Sequence, residues 1–561
     1  MVALLVATPS GTGATASTTW VSQPLSFQTT DGTVLHAAVA GTGSLSPRPV
    51  IVEDSPYAPD VSTLEWVGSD FNVVELQWRG TGLSGGSLDS AGALDQRDLS
   101  QFLGWACTQP WSNGSIGLYG FSASAIVVYN AMHLSLPCVK TAVLMAGSTD
   151  LYRDLLDIGG IPNVAAGAYV EAAIGANTLM DGPTRFQTEP GTIPAAAEGY
   201  PVAALDVATN TTDDAFWQER SFQGDLDQIP ILADTSFYDV EPDGPFAAFN
   251  ATKQFGSHLL VFGAHDGFPA GTPGPFPQYQ NWFEHALVGQ ALSTANQPVV
   301  SAYLSNGNRQ QFLDGNVTHL TDSNWPLTGT TWTNLSLSSA TNSTVTSLNQ
   351  GSLSTQRQLT TATQPYPFVP SEASETDLHN TSVIDSNLDQ LVFPGVNDMS
   401  LSGPTSLTYT SAPLAQPLTV AGPGALDLSV SSVAPVTDLY VVVADVWPDG
   451  TAYPIGTGAL RTSFPFVDSS RSLVVNGQIV DPYNDYATQS TALPGQTRQY
   501  QVEIMPMGNV FAAGSRIRVY VLGTPFDQLA SPPGVNIVSL GGVTPSQLLL
   551  PSVGGSPQFT G

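Results

Sequence analysis

Residues 115–132 read SIGLYGFSASAIVVYNAM: an apolar run, the turn Gly120-Phe121-Ser122-Ala123-Ser124, then an unbroken apolar stretch. The order of strand, small-residue turn and helix matters more than the letters. A serine in G-x-S-x-(small) between a strand and a helix sits on a sharp turn that holds its hydroxyl clear of its own backbone. Gly120, Ser124 and Ala125 are small enough to let strand and helix approach closely. The motif alone means little in a chain with 53 glycines. Gly82-Leu83-Ser84-Gly85-Gly86 fits G-x-S-x-G even better, but no helix-forming stretch follows it. Ser84 is therefore expected in a loop, and Ser122 is the candidate nucleophile.

At 561 residues the chain has room for two to four domains with sizeable cores. Its net charge is -31, yet charged residues make up only 11% of it, and Lys140 and Lys253 are its only lysines. Ser, Thr, Asn and Gln cover the surface instead. Such a surface changes little as carboxylates protonate, which suits an acidic or extracellular setting. No basic patch exists to neutralise phosphates, which argues against nucleic acid or an anionic membrane as partner. No stretch approaches a membrane span. Residues 1–19 read either as the remnant of a secretory signal or as a disordered start, with the fold beginning near Trp20. The two cysteines, Cys107 and Cys138, fall at the ends of neighbouring helices. In an exported protein they would form a disulfide; otherwise they are buried thiols.

From Val50 to Gly263 short apolar runs alternate with helix-like segments, the pattern of a mainly parallel sheet with crossover helices. That assigns 20–148 and 229–297 to one α/β core. Between them, 149–228 is rich in alanine and lacks strands, and reads as a helical cap over the C-terminal edge of the sheet, where ligands bind in open α/β folds. From 298 to 561 Ser/Thr-rich alternating runs and Pro/Gly turns indicate an all-β sandwich.

A serine hydroxyl becomes a useful nucleophile when a histidine takes its proton and a carboxylate orients that histidine. In α/β-hydrolases these partners follow in the order Ser, Asp/Glu, His, each at the C-terminal end of a strand. Two strand ends downstream of Ser122 qualify, Ile231-Leu232-Ala233-Asp234-Thr235-Ser236-Phe237-Tyr238-Asp239 and Leu260-Val261-Phe262-Gly263-Ala264-His265. His258 precedes its strand and should lie at the wrong end of the sheet, while His285 reads as part of the following helix.

Seven stretches, in order along the chain, resemble the cocaine esterase and α-amino-acid ester hydrolase family, relatives of the Xaa-Pro dipeptidyl-peptidases. They are PVIVEDSPYAPD, VVELQWRGTGLSGG, DQRDLSQFLGWACTQPWSNGSIGLYGFSAS, FWQERSFQGDLDQIPIL, SFYDV, TDLYVVVADVWPDG and GNVFAAGSRIRVYV. The last two resemble the family's C-terminal jelly roll. The resemblance implies that Ser122 is the nucleophile, Asp239 the triad acid and Tyr57 the oxyanion-hole tyrosine, with the Ala123 N–H completing the hole. The family usually has Gly-Pro-Trp-x-His after the last strand, whereas Gly263-Ala264-His265 is two residues shorter; His265 remains the candidate base. The family commonly has Tyr after the serine, where this chain has Ala123.

The expectation is a secreted serine hydrolase that cleaves small esters or amides, or short peptides, through an acyl-enzyme. It has an α/β-hydrolase core, a helical cap and a jelly roll. No phosphate loop, dinucleotide fingerprint or metal-ligand spacing is present, so no cofactor is expected. The alternatives are an Xaa-Pro dipeptidyl-peptidase or β-lactam acylase and, from another class, an inactive binding protein on the same fold. Arg79 reads as a structural anchor.

Overall fold

The computed structural model describes residues 19–57, 60–163, 174, 209–239, 243–263, 267–292, 298–342, 344–368, 398–524 and 529–560. Continuous apolar runs such as Val50-Ile51-Val52 form strands buried on both faces, as central parallel strands must be. The core strands are β1 (Trp20–Gln28), β2 (Val34–Thr42), β3 (Arg48–Ser55), β4 (Asn72–Gln77), β5 (Ser112–Phe121), β6 (Val139–Met145), β7 (Ile231–Thr235), β8 (His258–Val261), β9 (Val300–Ser305) and β10 (Val317–Asp322). Their pairings give the order β1-β2-β4-β3-β5-β6-β7-β8-β9-β10, parallel from β4 to β9 and antiparallel at both edges.

Helices cover both faces. On one, α1 (Ala93–Ala106), α2 (Ala123–Ala131) and α3 (Asp243–Thr252) bury Leu99, Phe102, Ile126 and Phe249 against Val50, Val52 and Leu118. On the other, α4 (Phe276–Phe283) and the turn Val61–Val67 pack Tyr279, Phe283 and Leu64 onto Ile51, Val73 and Val143. Cys107 at the end of α1 is disulfide-bonded to Cys138, just before β6. Among the described residues no helix is long and apolar enough to cross a membrane.

Most of the segment expected to form the cap (164–173 and 175–208) lies outside the described residues, as do 1–18. The two ends of the segment meet: Asp150 and Ser221 form an antiparallel bridge, and the Phe222 N–H donates to Thr149 O at 2.7 Å.

The sandwich was expected from residue 298, but β9 is hydrogen-bonded parallel to β8 through Leu259↔Val300 to Val261↔Ala302, so the α/β sheet continues beyond 297 and ends at β10. Val300, Ala302 and Leu304 alternate with Ser301, Tyr303 and Ser305, a sequence pattern that reads the same in a sandwich and at a sheet margin, although all but Tyr303 are buried.

The C-terminal part is a β domain of jelly-roll type. Its strands are β11 (Thr330–Ser338), β12 (Gly351–Ser354), β13 (Ala362–Phe368), β14 (Leu407–Thr410), β15 (Leu418–Ser432), β16 (Asp438–Val446), β17 (Ala452–Arg461), the hairpin β18–β19 (Leu473–Val475, Gln478–Asp481), β20 (Arg498–Phe511), β21 (Arg516–Leu522), β22 (Gly534–Leu540) and β23 (Gln547–Val553). Its longest ladder pairs β15 with β20. β20 also touches the core sheet directly, through Asn509↔Ser305.

Candidate active site

The turn after β5 is as tight as its small residues require. Ser122 has φ 53° and ψ -123°, a conformation that a side-chain-bearing residue adopts only where its surroundings enforce it. The Ser122 N–H donates to Met145 O at 3.0 Å, and its carbonyl accepts from the Ala125 and Ile126 N–H groups that open α2. A Cβ on Gly120 would lie 2.5 Å from Ser124 O and 2.6 Å from Ala125 N, so only glycine lets α2 fold back so closely over its own strand. Ala123 is the first residue of α2, so its N–H is among those with no partner inside the helix.

Tyr57 stands two residues past the end of the neighbouring strand β3. Its hydroxyl lies 3.4 Å from Ser122 Oγ, longer than a close O–H···O bond. The space between and beside them is bordered by the phenol on one side and by the start of α2 on the other.

Asp239 follows β7, two strands from β5, and is buried. Its N–H donates to Ser236 O at 3.3 Å, closing a turn over residues 236–239. The Ser236 hydroxyl donates to Gly263 O, and the Phe262 N–H donates to Thr235 O at 2.7 Å. The loop carrying Asp239 is therefore tied to the strand end that leads into residues 264–266. Those three residues, and His265 with them, lie outside the described residues. His258 sits at the start of β8, packed 5.0 Å from the Trp282 ring, and burial pushes its imidazole down to about 4. His285 lies on the turn after α4, its Nδ1 2.7 Å from Gln290 O.

Ser84 is elsewhere and fully buried; its hydroxyl donates to Gln77 O at 2.8 Å and accepts from the His36 N–H at 2.9 Å. Arg79 holds the two carboxylate oxygens of Asp98 at 2.7 Å each and Asp31 at 3.1 Å, joining α1 to the β1–β2 turn.

Sequence reading missed the acids beneath this edge. Glu53 on β3 lies between Glu75 on β4 and Tyr119 on β5 in the ladder register. Burial pushes its carboxyl up to about 7. Asp54, on the opposite face of β3, is held well above the carboxylate range, first by burial and then by Asp95, Asp98 and Glu53. Two adjacent acids inside the apolar run PVIVEDSPY were the available signal.

Residues 31–266 match the family model of the X-Pro dipeptidyl-peptidase (S15 family), and 295–544 match that of the X-Pro dipeptidyl-peptidase C-terminal non-catalytic domain. The chain carries an S15-type domain followed by that C-terminal domain. A cocaine esterase from Rhodococcus sp. (strain MB1 Bresler) is 24% identical over 555 residues, covering 88% of this chain and 89% of that one. A CocE/NonD family hydrolase from Staphylococcus aureus shares the fold at TM-score 0.72 and 18% identity, over 95% of this chain and 94% of that one. An α-amino acid ester hydrolase does so at TM-score 0.69 and 17% identity, over 98% and 99%. The protein is thus a hydrolase built from an α/β-hydrolase core and a C-terminal jelly-roll domain.

Proposed function

We propose that this hydrolase cleaves esters or amides of small molecules through an acyl-enzyme on Ser122. His265 shuttles the proton, Asp239 orients His265, and the Tyr57 hydroxyl with the Ala123 N–H receives the oxyanion. The observation that carries the reading is the 3.4 Å approach of the Tyr57 hydroxyl to a Ser122 held in a strained turn at the head of α2. Attack by Ser122 Oγ on a carbonyl carbon moves an electron pair onto the carbonyl oxygen. A phenol and a backbone donor flanking the nucleophile would stabilise that charge more than they stabilise the neutral carbonyl. The proton taken by His265 then passes to the leaving alcohol or amine, and water repeats the sequence to free the acid.

The S15 match favours a second reading, release of Xaa-Pro dipeptides from short peptides. The test is labelling of Ser122 by a fluorophosphonate, followed by turnover of p-nitrophenyl esters of graded chain length beside Ala-Pro and amino-acyl anilides. Absence of labelling on the folded protein would sink the acyl-enzyme and leave a binding role. Anilide turnover that outpaces every ester would select the peptidase. The disulfide and the lysine-poor, hydroxyl-rich surface support export to an extracytoplasmic, acidic setting.

A further inference from the structure

We propose that the C-terminal β domain positions the triad acid: Gly508 on β20 is the seat of Phe237, and through that ring β20 holds the turn that carries Asp239. The inference rests on the reading of Asp239 as the acid.

The three residues before Asp239 are each anchored to a different part of the molecule. Ser236 is tied by its hydroxyl to Gly263. Tyr238 is buried with its ring 5.3 Å from that of Phe312. Phe237 packs directly on the β domain. Its ring lies so close over Gly508 that a Cβ there would be 2.0 Å from Cδ2, 2.2 Å from Cε2 and 2.5 Å from Cγ. No side chain fits in that space, since carbon atoms in contact stand about 3.5–4.0 Å apart. Away from Gly508 the ring meets Phe246 of α3 and Trp325, each at 6.0 Å, and those two stack on one another at 4.3 Å. The ring is thus gripped from both domains.

β20 is itself firmly held. Gly508 pairs with Ala421 of β15, and the next residue, Asn509, bridges to Ser305 of β9. Five residues before Gly508, Glu503 accepts from Arg153 of the segment between β6 and β7, whose Nε lies 3.1 Å from Glu503 Oε2. Displacement of Phe237 would therefore pass along the chain, because the turn closed by Asp239 N–H to Ser236 O leaves little slack between ring and carboxylate. Gly508 and Phe237 act as positioning residues, and the domain is more than a brace for the fold.

Gly508→Ala forces the ring out of its seat. The expected result is a loss of about 10²-fold in kcat per fluorophosphonate-titrated site, the scale set by a shift of about 1 Å in a catalytic group. KM should stay within about threefold, as expected when a transition-state contact is lost. The acid limb of the kcat/KM profile should move to lower pH, since a misplaced carboxylate supports the imidazolium less well. Adding Phe237→Leu to Gly508→Ala makes room for the new methyl and should recover most of the loss. If Gly508→Ala does not fold, Phe237→Leu in the parent vacates the seat without a clash and should shift the same limb. A folded Gly508→Ala enzyme with parental kcat, or a double variant no better than the single, overturns the inference. Asp239→Asn separates the two layers. It should lose about 10⁴-fold, the cost expected of an uncharged acid, and near-normal turnover there would mean that the assignment of Asp239 had failed instead.

Discussion

The hydroxyl of Ser236 donates to the carbonyl of Gly263, so the strand end that leads to Asp239 and the strand end that leads to His265 are joined by one side chain. Ser236→Ala removes two buried hydrogen bonds and strands the Gly263 carbonyl and the Tyr238 N–H. A stability loss of about 1–3 kcal/mol is expected in denaturant unfolding. The kcat should fall with KM little changed, because the two loops lose their common register. A stability loss with normal kcat would make the bond purely structural.

Ser122→Ala should abolish turnover and fluorophosphonate labelling while leaving the melting curve close to the parent's. Ser84→Ala should do the reverse, keeping most turnover and losing about 1–3 kcal/mol, because its hydroxyl bonds Gln77 and His36 in a fully buried site. A dead Ser84→Ala enzyme with an intact fold would relocate the nucleophile.

Tyr57→Phe deletes one hydroxyl and keeps the ring. If that hydroxyl receives the oxyanion, kcat should drop by about 10²–10³-fold with a much smaller change in KM. A kcat within about threefold of the parent would mean that Tyr57 only packs.

Among the histidines, His265→Ala should cost as much rate as Ser122→Ala, because members of a triad fail together. His258→Ala should act on stability alone, since that ring is packed against Trp282 at the far end of β8. His285→Ala, in an exposed turn, should change little. Equal loss of rate at His285 would dismantle the triad drawn above.

Glu53 makes stability depend on pH. Its folded-state carboxyl is raised from 4.5 to about 7, so its stabilising contribution is fully present below about 4.5 and is lost as pH rises through 7. The rise corresponds to roughly 3 kcal/mol between the two limits. In urea melts Glu53→Gln should match the parent below about pH 4.5, exceed it by a margin that grows between about 4.5 and 7, and keep that margin at higher pH. Parallel curves for the two proteins from pH 4 to 8 would show that Glu53 ionises freely.

The elbow was legible because its cause is local: Gly120, Ser122 and Ala125 are neighbours in the chain, and the turn demands their sizes. The alternation of apolar runs that marks a parallel sheet was legible for the same reason. β9 was not, since an alternating strand looks alike in either domain. Gly508 was beyond reach, because the ring that requires it to be glycine belongs to a distant stretch of chain. Glu53 and Asp54 stood in plain view, but a single sequence does not show which strand residues the helices will cover.

The bridge between Asp150 and Ser221 gives the hydrolase a seam. Their bridge, flanked by the bond from the Phe222 N–H to Thr149 O, brings the two ends of the intervening stretch together at one place. Just inside the seam Tyr152 and Trp217 pack into the core, and Arg153 reaches Glu503 of the β domain. A change that opened the seam would therefore be felt on both sides of it, in the core below and in the domain beside it.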